Sequence, residues 1–239
     1  MLPLLPVASV AAFVMAVVSA VAGFGGGVLL LPVFTALFGL QTAVPLLTLT
    51  QLSSNASRVV LNRRELDRRL IGWFALGAVP CAVAGALLLA HAPLAPLTRL
   101  LGLFLIAMVV WRRFGRTPGR LRDRAFAAVG AASGLGSALL GAVGPLTAPF
   151  FLAAGLTRAA YIGTEAASAL TMHVTKTIAY GAGDLLTPSI LVFGLALTPA
   201  VLAGAWAGKR IVARISDRVF VALVELGLVA AGILFLIGW

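Results

Sequence analysis

Long apolar runs separated by short basic loops constrain this chain more than any other feature. No lysine or arginine precedes Arg58, and the first apolar run covers about Leu4–Ala22. A helix rises about 1.5 Å per residue, so about 20 apolar residues cross the roughly 30 Å hydrocarbon layer of a bilayer. The chain is 61% hydrophobic and 10% charged over 239 residues, with a mean hydropathy of +1.09. A soluble domain carries about 25% charged residues, so this chain cannot coat itself for water. In lipid every backbone N–H and C=O must be bonded within the protein, which leaves helices or a closed barrel. The runs are of helical length, and the expectation is an all-α, polytopic membrane protein whose first partner is the lipid bilayer. The first run lacks the basic start of a secretory signal and is expected to be retained as a span.

The remaining runs follow from turn signals. After the cluster Gly23-Phe24-Gly25-Gly26-Gly27 comes a short run, Val28–Phe38, then about Thr42–Leu61, Leu70–Ala90 and Leu97–Trp111. The polar stretch Arg112–Arg124 follows. The plan then repeats as Ala125–Leu140, a break at Gly141, Gly144 and Pro145, the short run Leu146–Ala154, then Ala159–Ala182, Thr187–Gly208 and Val219–Trp239. Residues recur in the same order. Gly39-Leu40 matches Gly155-Leu156, Asn55-x-x-Arg58 matches His173-x-x-Lys176, Pro80 and Gly85 match Pro199 and Gly204, and Arg99 matches Arg218. An internal duplication is expected, as in many transporters. It gives an N-terminal membrane repeat at 1–115, a basic cytoplasmic linker at 116–124 and a C-terminal membrane repeat at 125–239. Pro80 and Pro199 are expected to kink their helices.

The formal net charge of +11 does not point to nucleic acid. The basic residues cluster in Arg63–Arg69 and Arg112–Arg124, between apolar runs, as in the cytoplasmic loops of membrane proteins. Strongly basic loops follow only odd-numbered segments, so both termini are expected outside the cytoplasm of a plasma or inner membrane. An odd number of crossings per half makes the two repeats inverted. The short second and seventh runs are expected to form glycine-broken, re-entrant or short helical hairpins with the segments before them.

Few residues can carry chemistry. Cys81 is the single cysteine, so neither an internal disulfide nor a cysteine metal cluster is available. No nucleophile elbow and no two-histidine metal motif occurs, so neither an enzyme, a metal site nor a cofactor is expected. The glycine breaks offer another possibility. Gly25, Gly26, Gly27 and Gly144 stand where new helices begin, and unpaired N–H groups at a helix start attract anions. The alternative is close helix packing through small residues. In the third segment Gln51, Asn55 and Arg58 share a face with Thr48 and Asn62, at about 100° per residue. In the eighth, Glu165, His173, Lys176 and Tyr180 do the same. A polar stripe inside a membrane must meet a partner or a water-filled path. Arg58 can instead snorkel to the nearby surface. Glu165 and Glu225, the acids well inside apolar runs, are candidates for a coupling or proton-relay role, or for static ion pairs.

The Gly23–Gly27 cluster followed by Pro32, the Asn55-x-Ser57 region and the repeated Pro/Gly helices resemble the sulfite exporter TauE/SafE family of membrane transporters, over nearly the whole chain. The second half departs from the pattern, since Gly141-Ala142-Val143-Gly144-Pro145 is poorer in glycine. The resemblance implies a permease for sulfite, a sulfonate or a related organosulfur anion. With the residues above, it implies a secondary transporter working by alternating access between inverted repeats. An anion channel with the same cavity is the alternative. A small anionic substrate is the expected ligand. A coupling proton or cation and a homo-oligomer are both compatible with the sequence.

Overall fold

The structure, a computed structural model, describes residues 2–22, 27–91, 93–115, 119, 121–141 and 144–211, and residues 225, 226, 229, 230, 232, 233 and 235–237. Among these, every regular element is helical. In chain order the α-helices are α1 Leu5–Ala22, α2 Gly27–Phe38, α3 Leu40–Leu61, α4 Arg68–His91, α5 Leu94–Phe114, α6 Phe126–Leu140, α7 Gly144–Ala153, α8 Arg158–Ala182 and α9 Pro188–Ile211. The two short runs are short helices, α2 with 12 residues and α7 with 10. The described residues of the last apolar run are mostly helical too.

Local chemistry explains the boundaries. Gly39 and Gly155, which follow α2 and α7 at matching places, have φ of 74° and 75°. That left-handed conformation is strained for any residue with a Cβ. Asp67 starts α4 by accepting from the N–H groups of Arg69 and Leu70 at 3.0 and 3.1 Å. Thr157 starts α8 by accepting from the N–H of Ala160, so each helix has a side chain for its orphan donors.

The two most extensive helix packings are α4 against α6 and α1 against α9. Both pair a helix of the first half with one of the second. Small residues make the approach possible. A Cβ on Gly77 would lie 1.9 Å from the carbonyl oxygen of Ala127, and one on Gly130 would lie 2.0 Å from that of Phe74. On the other seam, a Cβ on Gly204 would lie 2.3 Å from the oxygen of Phe13. Gly85 seats against α6 at Leu135 and Ala138, while Gly204 seats against α1 at Phe13 and Ala16. These two glycines are the pair matched in the sequence. Similarly, Gly102 of α5 meets Gly232.

Between the seams α3 and α8 cross at the centre, with α4 also against α8 and α3 against α9. Large apolar side chains point outward from α4 and α9, among them Leu76, Val192 and Leu195. A water-facing surface would not be built this way; lipid accepts it. Among the described residues, α4 is the helix whose length and hydropathy alone suffice to cross a bilayer. At 22 and 25 residues, α3 and α8 are long enough, but a polar stripe lowers their hydropathy.

The basic segments gather at one end. Arg69 pairs with Asp123 at 2.9 Å, the Arg124 guanidinium lies 6.0 Å from the Trp73 ring centre, and the N–H of Asp67 donates to Thr164 Oγ1 at 2.9 Å. At the far end, Gly183 after α8 lies beside Ala90 of α4.

Candidate functional site

The crossing of α3 and α8 leaves an open pocket of about 440 Å³, mouth included. Gln51, Asn55 and Arg58 line it from α3. Glu165, Ser168, Ala169, Met172 and His173 line it from α8. Those α8 positions step by three, one, three and one, which is one helical stripe. Phe74 of α4, Ser137 of α6, and Gly144, Thr147 and Phe151 of α7 complete the wall. Phe151 is fixed by Phe74 and Phe126, with ring centroids 5.7 and 5.0 Å away.

Arg58 is held on two sides. Its Nη1 donates to Glu165 Oε2 at 3.0 Å, and its Nη2 donates to Asn55 Oδ1. Asn55 in turn donates its amide to the Gln51 carbonyl at 2.9 Å, so it orients the guanidinium from one turn away. Arg58 sits in the last turn of α3, where the helix dipole favours a cation. The Arg58 side chain is 22% exposed and that of Glu165 6%. Arg58 therefore meets an acid of α8 instead of extending freely to the surface.

Several buried polar atoms of the pocket-lining residues have no partner among the described residues: Arg58 Nε, Ser168 Oγ and His173 Nδ1. Buried polar groups are nearly always bonded, and an orphan calls for a water, an ion or a ligand. The three residues that carry these orphans all line the same pocket.

Lys176 is fully buried one turn beyond His173, but its amine does not line the pocket. Nζ donates to Ser137 Oγ at 2.8 Å, to the Ser137 carbonyl at 3.2 Å and to the Gly141 carbonyl at 3.4 Å. One turn further along α8, Tyr180 donates to the Ala138 carbonyl at 2.7 Å. The Ser137 carbonyl also accepts from the Gly141 N–H at 2.9 Å, and α8 supplies further donors to the end of α6. Ser137 stands between the pocket and Lys176.

The structure thus brings Gln51, Asn55, Arg58, Gly144, Glu165 and His173 together. Gly27 begins α2 without lining the pocket, and Gly25 and Gly26 lie outside the described residues. Glu225 lies elsewhere, with Arg113 Nη1 at 3.3 Å. Ser137, Thr147 and Ser168 were not singled out in the sequence. Ser168 was accessible, since it falls on the Glu165–His173 stripe; the other two read as small residues in apolar helices. Among the described residues, no three His, Cys, Asp or Glu side chains come together as a metal would require.

An all-helical chain with lipid-suited flanks and a cation-bearing polar pocket at its centre has the build of a membrane transport protein. The sequence agrees. The chain belongs to the sulfite exporter TauE/SafE family, whose model matches residues 8–235. This is a family of membrane transporters, not enzymes, with sulfite and related anions as cargo. No curated protein and no solved structure matches the chain.

Proposed function

We propose that this protein is a secondary transporter of a small anion (sulfite, a sulfonate or a related organosulfur anion) that works by alternating access around the α3–α8 pocket. The observation that carries this reading is that Arg58, Ser168 and His173, each with a buried polar atom that has no partner among the described residues, all line one pocket. An arginine N–H and a hydroxyl suit an oxyanion, because a guanidinium donates strong, charge-assisted bonds to delocalised oxygens. Gly144 adds the start of α7, whose first N–H groups have no helical partner.

Ser168→Ala tests the pocket directly. Its hydroxyl has no protein partner, so the fold loses little without it; removing a buried orphan is close to neutral or stabilising. The expected result is a melting temperature equal to or above wild type, with sulfite affinity reduced by about fivefold, for one hydrogen bond of about 1 kcal/mol. Titration of purified protein reads the affinity. Unchanged affinity would remove Ser168 from the site. In proteoliposomes, a transporter shows saturable flux accelerated by substrate on the far side, whereas a channel shows neither.

The halves 1–115 and 125–239 are proposed as inverted repeats. The packing supports this, because α1 meets α9 as α6 meets α4, with the matched Gly85 and Gly204 in equivalent seats. The chain is then multi-pass, with Arg63–Arg69 and Arg112–Arg124 cytoplasmic and both termini on the other side. Cysteines replacing Asp67 and Trp239 should react with impermeant reagents from opposite sides of the membrane. Reaction from the same side would rule out this topology.

A further inference from the structure

We propose that Glu165 is a tethered competitor for the substrate anion: its carboxylate holds Arg58 while the pocket is empty, and it leaves with a bound proton when the anion arrives. This rests on the pocket being the anion site.

The ion pair joins the two halves inside that pocket, and Glu165 is almost fully covered. A carboxylate and a small oxyanion are alike as ligands, since both offer delocalised negative oxygens to a guanidinium. Glu165 uses one oxygen on one nitrogen of Arg58 and leaves Nε without a partner. Its hold is a single-point contact that an incoming anion can replace.

Burial of the cation does not by itself require this acid. Lys176 occupies the matching place in the second half and is more deeply buried, yet hydroxyl and carbonyl oxygens satisfy it. Glu165 lies eleven residues before Lys176, and the residue eleven before Arg58 is Leu47. The acid is therefore peculiar to one half, and it faces the other half's arginine.

Two anions cannot share one guanidinium without repulsion, and a covered carboxylate deprived of its partner is strongly disfavoured. Displacement therefore proceeds with protonation. The Arg58–Glu165 contact breaks, Arg58 bonds the anion, and the carboxylate takes one proton from the bathing solution. Pocket charge is the same before and after. When the anion departs the contact re-forms and the proton is released, so one proton accompanies each anion. The charged or titratable groups beside Glu165 are Arg58 from α3 and Tyr161 one turn before it on α8, and His173 lines the same pocket two turns further along. The residues that α4, α6 and α7 present to the pocket do not titrate.

The test uses purified, reconstituted protein, with methanesulfonate, which stays anionic throughout, and sulfite as probes. Glu165→Gln keeps the shape and removes the competing charge. It should bind methanesulfonate about tenfold more tightly than wild type, a difference of about 1.4 kcal/mol, with an affinity that no longer depends on pH. A trapped pH dye should show protons moving with the probe in wild type and in Glu165→Asp, but not in Glu165→Gln. Unchanged affinity in Glu165→Gln, or proton movement that persists in it, overturns the proposal. Arg58→Ala separates the two readings. If it binds the probes as wild type does, the pocket is not the anion site and both readings fall. If it loses binding while Glu165→Gln behaves as wild type, the site stands and the competitor falls. Failure of wild type to bind either probe overturns both.

Discussion

Gly130→Leu and Gly134→Leu are expected to leave no folded protein to purify. A Cβ at these positions would lie 2.0 Å from the Phe74 oxygen and 2.3 Å from the Ala78 oxygen. Both obstacles are backbone atoms of α4, which cannot swing aside as a side chain can. A leucine there forces α4 and α6 apart along their whole seam. Overpacking costs about 1–3 kcal/mol even where neighbours can relax, and here they cannot. Alanine at the same positions should fold with a lower melting temperature. Gly72→Ala is the control, since a Cβ there meets nothing within 4 Å, and alanine is the better helix former by about 1 kcal/mol. It should be neutral or stabilising. Thermal melts and monodispersity of the purified variants check all of this. A well-folded Gly130→Leu would show that the α4–α6 seam is looser than described.

Lys176→Ala should lower the melting temperature by on the order of 10 °C. The change leaves Ser137 and Gly141 carbonyls at the end of α6 without their lysine donor. The two carbonyls keep the Gly141 N–H and the Ser137 hydroxyl, so the cost is that of the lost lysine bonds and the emptied buried space, about 2–5 kcal/mol, and each kcal/mol shifts melting by roughly 2–4 °C in a chain of this size. Tyr180→Phe should be milder, because it removes a single hydroxyl, which bonds the Ala138 carbonyl and Thr48. His173→Ala changes the pocket without touching α6, and should weaken anion binding with a smaller loss of stability. If Lys176→Ala melted normally and lost only anion binding, its amine would belong to the substrate site after all, in another conformation of the protein.

The contrast between Arg58 and Lys176 shows how much was legible in the sequence. Their matching positions were visible, as were the stripes that carry them, because helical periodicity and the scarcity of charge in apolar runs are local properties. The two cations then do different things. Arg58 meets Glu165, 107 residues away, whereas Lys176 turns to the end of α6. Which partner a buried cation finds depends on which helix faces it, and no spacing within one segment encodes that. The helix ends were readable for the same local reasons: Gly39, Gly155, Asp67 and Thr157 act within one turn. Ser137 and Thr147 were not readable as pocket residues, because a single hydroxyl in an apolar helix usually bonds its own backbone. Thr147 does so, with the Gly144 carbonyl at 2.9 Å. The proposed duplication rests on matched residues in the sequence. That α1 fits α9 and α4 fits α6 was not visible there, since small residues say that something comes close without saying what.

Those two seams also set the order in which the molecule can be completed. Synthesis runs from the N-terminus, so α4 enters the bilayer before α6 exists, and α1 waits until α9 has been made. Throughout that interval the bare backbone beside Gly77 and Gly85 has only lipid tails against it, which fill such a groove poorly. The proposed division of the chain into two halves is thus no frontier between bodies that mature one after the other. The first half to emerge lacks its packing partners, and its α1 and α4 are covered only when α9 and α6 of the second half come to lie against them.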